Sequence, residues 1–199
     1  MLQSLNQSVC MRHQTLFRVL LNAMTHPGDI YRLKTADACD ELDLIRGISQ
    51  TLLDNEVTFA LAGQAHPFFS AQDILKWTHS YNVSASEADF LIVTGPDGDT
   101  KISQLKRGTP ERPDAGATAV FLLSRPIGIC ENRILLTIAG PGIAPPGRRQ
   151  LPGLAVSRKD IEAIQAANEE FPMGIDCFFI DPAGAVIGLP RSVTIRRVE

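Results

Sequence analysis

The segment I-D-C-F-F-I-D-P-A-G-A-V-I-G-L, residues 175 to 189, contains two apolar runs on either side of a turn sequence. Asp181-Pro182-Ala183-Gly184 has the composition of a tight turn, because proline fixes φ and glycine adopts positive φ without steric cost. Apart from Asp176, the runs at 175–180 and 185–189 have apolar residues or glycine at successive positions, which is typical of strands buried on both faces of a sheet. The segment therefore predicts an antiparallel hairpin within a sheet that is covered on both sides.

Helical and strand patterns alternate along the rest of the chain. Further strands are predicted at 57–61, 89–93, 117–123, 134–139 and 193–198, and helices at 11–25, 42–54, 71–81, 102–106 and 157–170. The last helix begins at Ser157, which is followed three residues later by Asp160 in an arrangement close to a capping box. This order predicts an α/β fold, a single three-layer domain over residues 1–199 built on a mixed sheet.

The first predicted helix carries an apolar stripe. Phe17, Leu20, Leu21 and Met24 follow the i, i+3, i+4, i+7 spacing, so we expect their side chains to face the core. The sequence His26-Pro27-Gly28 ends this helix, because proline disfavours the helical conformation of the residue before it. Residues 1–10 carry no matching motif, and we expect them to form a loosely ordered segment.

The composition excludes several classes of protein. With 199 residues, 44% of them hydrophobic, and a net charge of −3, the chain resembles an ordinary globular protein and not a basic nucleic-acid-binding one. Its apolar runs are far shorter than the ~20 residues of a membrane-spanning helix, and the N-terminus has no signal-peptide pattern. We therefore expect a cytoplasmic protein that binds neither nucleic acid nor a membrane.

The sequence offers no metal site. Cys10, Cys39, Cys130 and Cys177 are too far apart for a local zinc or iron–sulfur motif, and the four histidines form no helical metal-binding pair. We expect the cysteines to be free thiols, each acting as a small buried hydrophobic residue.

The glycine-rich stretch R-I-L-L-T-I-A-G-P-G-I-A-P-P-G-R-R, residues 133 to 149, raises the possibility of a phosphate-binding loop. Its prolines remove the backbone amides that would hold a phosphate, and no Gly-Lys-Ser or Gly-Lys-Thr sequence follows. The stretch therefore predicts a rigid exit from a strand. Arg148 and Arg149 either bind an anion or are two solvated loop residues.

A second loop, R-G-T-P-E-R-P-D-A-G-A-T at 107 to 118, mixes glycine, proline, threonine and both signs of charge. Loops of this composition often carry function, but a rigid surface connection has the same composition. Both interpretations stay open.

Five motifs, taken together, resemble one known family. They are F-R-V-L-L-N-A-M-T-H-P-G (17–28), the loop at 107–118, G-P-G-I (140–143), F-P-M-G-I-D (171–176) and L-P-R-S (189–192). Their order and spacing from about residue 11 to residue 197 are similar to those of PhnH, a subunit family of the bacterial carbon–phosphorus lyase system for phosphonate breakdown.

The resemblance implies a cytoplasmic subunit of a complex with PhnG, PhnI and PhnJ. That complex is credited with joining a phosphonate to the ribose carbon of ATP, which releases adenine and gives a ribose 1-phosphonate 5-triphosphate. The resemblance also implies a homodimer for the isolated chain, and a fold similar to the large domain of pyridoxal-phosphate-dependent transferases without that cofactor. No cofactor is therefore expected.

The resemblance supplies no catalytic residue, so the polar members of the matching motifs are the candidates for binding a ligand or a partner. These are Arg18, Thr109, Glu111, Asp176 and Arg191, to which the loop adds Arg148 and Arg149. A structural salt bridge between residues such as Asp176 and Arg191 is an equally good interpretation of that pair.

The sequence is compatible with three functions. The leading hypothesis is an accessory or structural subunit of the phosphonate-processing complex. The second is a small-molecule module that binds a phosphonate or nucleotide through Arg148, Arg149 or Arg191. The least favoured is a free-standing pyridoxal-phosphate enzyme, since none of Lys34, Lys76, Lys101, Lys106 and Lys159 lies in a convincing Schiff-base position.

Overall fold

The computed structural model describes residues 2–33, 41–95, 98–129, 136–145 and 147–197, and within these ranges it contains five α-helices and ten strands. The helices are α1 (Leu2–Thr25), α2 (Glu41–Leu52), α3 (Ala71–Thr78), α4 (Asp99–Ile102) and α5 (Arg158–Ala167). The strands are β1 (Tyr31–Arg32), β2 (Thr58–Gly63), β3 (Tyr81–Asn82), β4 (Phe90–Thr94), β5 (Thr118–Leu122), β6 (Leu136–Ala139), β7 (Arg148–Gln150), β8 (Asp176–Ile180), β9 (Ala185–Leu189) and β10 (Thr194–Arg197).

Seven strands form a mixed sheet in the order β1-β9-β8-β5-β4-β2-β3. The neighbours from β8 to β3 are parallel, whereas β9 is antiparallel to β8 and β1 is antiparallel to β9. The hairpin predicted at 175–189 is confirmed, with Cys177 opposite Leu189. Asp181 closes its turn, because the Oδ1 atom accepts from the amides of Ala183 (2.9 Å) and Ala185 (2.8 Å).

Helices pack on both faces of this sheet, as the continuous apolar strands predict. Phe178 and Ile180 of β8 face a cluster that includes Leu16 and Leu20 of α1 and Ile48 of α2. The alternate residue, Phe179, faces the other cluster together with Phe121, and it stacks on that ring with a centroid distance of 4.8 Å. The second cluster also contains Ile102 of α4 and Ile161 and Ile164 of α5. An α/β fold with a mixed sheet is thus confirmed.

Three strands lie outside the main sheet and form a small antiparallel one in the order β10-β6-β7. The predicted strands at 134–139 and 193–198 are confirmed in their described parts, and Ile138 pairs with Ile195 across the two. The loop at 140–153 contains β7, a strand that the sequence did not predict. Its residues Arg148, Arg149 and Gln150 are all polar, so the apolar pattern that identifies most strands is missing.

The helix at 11–25 is longer than predicted and turns a different stripe to the core. It begins at Leu2 and ends at Thr25, directly before His26-Pro27-Gly28. Over the part of the helix whose burial is described, residues 13–25, the buried residues are Leu16, Leu20 and Ala23, whereas Phe17 is 51% exposed and Leu21 is 50% exposed. The expectation that Phe17 and Leu21 face the core is therefore wrong. Both patterns satisfy helical spacing, and only the position of the sheet selects between them.

Other helix boundaries also differ from the sequence prediction. α3 ends at Thr78 instead of at residue 81, because His79 adopts a left-handed conformation with φ of 61°. α4 lies at Asp99–Ile102 instead of 102–106. α5 follows Ser157 as predicted, and the capping box is complete: the Asp160 amide donates to Ser157 Oγ (3.0 Å) and the Ser157 amide donates to Asp160 Oδ2 (3.1 Å). It ends at Ala167 and not near residue 170, because Asn168 leaves the helix and bonds to the next strand segment.

Among the described residues, no helix is both long and apolar enough to span a bilayer. Cys177 is a buried free thiol, as expected. Cys39 and Cys130 lie outside the described residues, as does Lys34.

Candidate functional site

Arg191 and Asp176, two of the candidates from the sequence, meet at one end of the β8–β9 hairpin. Asp176 begins β8, and Arg191 lies just beyond the end of β9, so antiparallel pairing brings them together. Asp176 Oδ2 accepts from Arg191 Nη2 (2.6 Å), and both carboxylate oxygens accept from Nε (3.2 and 3.3 Å). The Arg191 backbone amide also donates to Asp176 Oδ1 (2.8 Å). The salt-bridge interpretation of this pair is the one that the geometry supports.

The rest of the guanidinium group holds the loop at 107–118. Arg191 Nη1 donates to the Pro113 carbonyl, and Nη2 donates to the Gly116 carbonyl (3.4 Å). All three guanidinium nitrogens are thus bonded to atoms of this chain, and the Arg191 side chain is only 14% exposed. An incoming anion would have to displace these bonds, so the geometry favours a structural clamp over an anion site.

Glycines make the close approach of these motifs possible. A Cβ atom added to Gly116 would lie 2.3 Å from the Gly174 carbonyl oxygen and 2.4 Å from Arg191 Nη1. Gly174 donates its amide to the Arg107 carbonyl (2.8 Å), which ties the F-P-M-G-I-D motif to the start of the 107–118 loop. We call the group formed by Arg191, Asp176, Pro113, Gly116 and Gly174 the Arg191 cluster.

Cys177 follows Asp176 directly and is fully buried. Burial raises the pKa of its thiol far above the ordinary value, and the neighbouring Asp176 carboxylate acts in the same direction. The thiol therefore stays protonated, which excludes it as a thiolate nucleophile at neutral pH.

The other candidates in these motifs face solvent. Thr109 is exposed, and its Oγ1 accepts from the Arg112 amide (3.1 Å) within a tight turn, where Glu111 is also exposed. Arg18 is exposed on α1. The structure thus brings Asp176 and Arg191 together and leaves Arg18, Thr109 and Glu111 outside the cluster.

A second contact joins the remaining two motifs. A Cβ atom added to Gly142, where φ is +79°, would lie 2.5 Å from the Thr25 carbonyl oxygen and 2.8 Å from Pro27 Cδ. The G-P-G-I turn therefore packs against the end of α1. Arg149 forms an ion pair with Asp29 just beyond that end, and Arg148 is exposed on β7.

A groove of about 530 Å³ lies beside the Arg191 cluster, and nothing in the sequence pointed to it. It is lined by one side of α5 and by the chain from Arg191 to β10. Its rim carries Phe171, whose side chain is 66% exposed. Gln165 is already engaged, because its Nε2 donates to the Ile195 carbonyl (2.8 Å).

Asp89, directly before β4, has a carboxyl group whose pKa is shifted from its ordinary value. Burial would raise its pKa, but hydrogen bonds from Lys106 and Thr58 outweigh that effect and hold the pKa below its usual value. The Lys106 ammonium lies 2.5 Å from Asp89 Oδ1.

Across the described ranges, no group of three His, Cys, Asp or Glu side chains is placed to hold a metal ion.

Comparison with known proteins adds to this geometry. The sequence profile of the family described as bacterial phosphonate metabolism protein (PhnH) matches residues 6–196. The chain is also 30% identical over 189 residues to a protein of Stutzerimonas stutzeri, provisionally named C-P lyase subunit protein HtxG. That match covers 92% of this chain and 86% of the HtxG protein.

Proposed function

We propose, because the chain belongs to the PhnH family of bacterial phosphonate metabolism proteins, that it is a subunit of a carbon–phosphorus lyase complex in phosphonate breakdown. The profile match over nearly the whole chain carries this proposal. The HtxG relative supports it, since that protein is named as a subunit of such a lyase.

Within the complex we assign the chain an accessory, structural role. The observation that favours it is the Arg191 cluster, in which Asp176 and Arg191, two charged residues of the family motifs, bind each other and the backbone of the chain. The side chains of Asp176 and Arg191 therefore hold the shape of the protein, and their polar atoms are already occupied. The catalytic work of the complex would then be done in other subunits.

The reaction, the partners and the oligomeric state that we propose are those that the resemblance to the PhnH family implies. The complex would join an alkylphosphonate to the ribose carbon of ATP, with release of adenine and formation of a ribose 1-phosphonate 5-triphosphate. The partners would be PhnG, PhnI and PhnJ in the cytoplasm, and the isolated chain, a single domain over residues 1–199, would be a homodimer.

The chain would need no pyridoxal phosphate, although we expect its fold to be similar to the large domain of transferases that use it. Two of the lysines that a Schiff base would require are engaged otherwise: Lys106 pairs with Asp89, and Lys101 donates to the Leu61 carbonyl. Phosphonate or nucleotide binding by the three arginines has less support, because Arg149 and Arg191 are already paired.

The experiment that tests the accessory role is co-expression with PhnG, PhnI and PhnJ of the same genome, followed by gel filtration and a turnover assay with ATP and methylphosphonate. We expect stoichiometric co-elution, and we expect assembly to fail when this chain is omitted. Arg18→Ala, Thr109→Ala and Glu111→Ala, which change exposed side chains, should leave turnover per assembled complex unchanged.

Two results would contradict the proposal in different ways. A complex that assembles and turns over normally without this chain would remove the subunit assignment. If the complex assembles normally but one of the three alanine variants abolishes turnover, the assignment as a subunit stands and the role is catalytic instead of accessory.

Gel filtration of the chain alone tests the homodimer, which would elute at twice the mass of one chain.

A further inference from the structure

A second cleft lies at the carboxyl ends of β2 and β4, away from the family motifs. The two strands are adjacent and parallel, and their last residues, Gly63 and Thr94, are register partners. A cavity of about 430 Å³ opens there, lined by the end of β2, the connection from β2 to α3, and Thr94. This volume falls in the range of ~300–1,000 Å³ that small-molecule sites occupy.

The topology explains why the cleft is there. From β2 the chain passes through α3 to β3 on one side of β2, but the next strand, β4, lies on the other side of β2. α3 packs in a cluster with Ile45 of α2 on one face of the sheet, whereas Ile102 of α4 packs with Ile161 of α5 on the other. The chain segments leaving β2 and β4 therefore diverge, which produces the crevice in which open α/β sheets bind ligands. We call it the switch-point cleft.

The walls of the switch-point cleft are small or aromatic. Ala62, Gly63, Ala65 and Ala71 contribute little bulk, so the space between the strand ends stays open. His66 and Phe69 also line it, and their ring centroids are 4.7 Å apart with planes tilted by 35°. Phe69 is 6% exposed and the His66 side chain is 13% exposed, so only a small part of each ring faces the cleft. Such ring edges pack against the face of a flat ligand.

One polar side chain in the cleft is unused. Gln64 is exposed, and within the described part of the chain its side-chain amide has no hydrogen-bond partner in the protein, although its backbone amide donates to the Thr94 carbonyl (2.8 Å). Thr94 Oγ1, in contrast, already donates to backbone carbonyls of Ala62 and Gln64. A free primary amide offers a donor and an acceptor side by side, which matches the edge of a nucleobase.

The charges around the cleft do not favour an anion. The Lys101 ammonium is bonded to the Leu61 carbonyl, and the Glu41 carboxylate lies 3.5 Å from His66 Nε2. At the start of α3, Asp73 Oδ2 already accepts from the Ser70 amide (3.0 Å) and hydroxyl (2.7 Å), so an acidic group occupies the helix end that an anion would need.

We propose that the switch-point cleft binds an uncharged, planar nitrogen heterocycle of the size of a nucleobase or nucleoside. The face of the ligand ring lies against the accessible edges of His66 and Phe69, and its donor–acceptor edge meets the Gln64 amide. This inference concerns a site remote from the family motifs and does not depend on the assembly of the lyase complex.

The test uses the full chain and adenosine as the probe, with binding measured by titration calorimetry and by NMR chemical-shift changes. Ala65→Phe fills the cleft from an exposed position and should weaken binding at least tenfold. Gln64→Ala removes one amide contact and should weaken binding about threefold to tenfold, the range for a net hydrogen bond. The matched control is Ala166→Phe, which places the same side chain at an exposed alanine lining the other groove and should leave binding unchanged.

Each outcome decides the proposal. Saturable adenosine binding that Ala65→Phe abolishes and Ala166→Phe preserves supports it. No saturable binding up to millimolar adenosine, or loss of binding in Ala166→Phe alone, overturns it. Binding of inorganic phosphate at the residues around Gln64, with no response to adenosine, would also overturn it, because the cleft would then be an anion site.

Discussion

The Arg191 cluster and the switch-point cleft use their polar groups in opposite ways. In the cluster, each guanidinium nitrogen of Arg191 and both oxygens of Asp176 are bonded within the chain. In the cleft, the Gln64 amide stays unengaged beside an open cavity. Every member of the cluster belongs to a family motif, whereas no residue that lines the cleft does. Membership in a motif therefore does not by itself mark a residue that binds a ligand, because Asp176 and Arg191 serve to shape this protein.

The largest expected effect is on the Arg191 side of this comparison. Arg191→Ala removes the guanidinium donor of the partly buried Asp176 carboxylate and of the Pro113 and Gly116 carbonyls, and keeps only the backbone amide that donates to Asp176. The loss should lower the free energy of unfolding by about 3 kcal/mol. Urea unfolding monitored by circular dichroism measures the change. Arg18→Ala and Gln64→Ala are the controls, and each should change stability by less than about 0.5 kcal/mol. An Arg191→Ala protein as stable as these controls would contradict the clamp.

A smaller loss is expected from Gly116→Ala. Gly116 has an ordinary φ of −71°, so the cost comes from the contacts of the added Cβ with Gly174 and Arg191 and should be about 2 kcal/mol. Gly128→Ala is the matched control, because its added Cβ meets nothing within 4 Å and only its positive φ costs about 1 kcal/mol. Thermal unfolding compares the two variants, and equal losses would show that the clash at Gly116 is not important.

The smallest effect concerns Asp89, at the opposite end of β4 from the switch-point cleft. Because its pKa is lower in the folded state than in the unfolded chain, its stabilising contribution is present above the unfolded pKa of about 3.9 and is lost as pH falls through the folded value. Asp89→Asn should be less stable than the original chain by about 0.5–1 kcal/mol at pH 7, the size of a solvent-screened ion pair. The difference should shrink below pH 4.

Urea titrations at a series of pH values test this, with the exposed Asp114→Asn as control. A difference between the Asp89→Asn chain and the original that grows on acidification would contradict the predicted sign. Adenosine binding by Asp89→Asn should equal that of the original chain, since the substitution leaves the cleft intact.

Much of the fold could be predicted because its elements have local signals. The β8–β9 hairpin follows from a turn sequence between two apolar runs, and α5 begins where Ser157 and Asp160 form a capping box. β7 and the two-residue strands β1 and β3 escaped prediction, since short or polar strands carry no periodic pattern and form only because a neighbour supplies their partners.

The site was only partly predictable. Asp176 and Arg191 stood out as polar residues in matching motifs, but their bonds to Pro113 and Gly116 join segments far apart in sequence. Gln64, Ala65 and Thr94 carried no signal at all. Glycines at the ends of β2 and β4, Gly63 and Gly95, were the nearest hint in the sequence, and a glycine alone does not distinguish a turn from the edge of a cleft.

The sequence by itself determined the alternation of helices and strands, the hairpin and the family, because these depend on residues close together or on motifs in a fixed order. Only the tertiary structure decided which stripe of α1 is buried, that Arg191 is a clamp, and that a cleft opens between β2 and β4. Those features depend on the order of the strands in the sheet and on which face of the sheet each helix packs against. Both are set by packing between segments that are far apart in sequence.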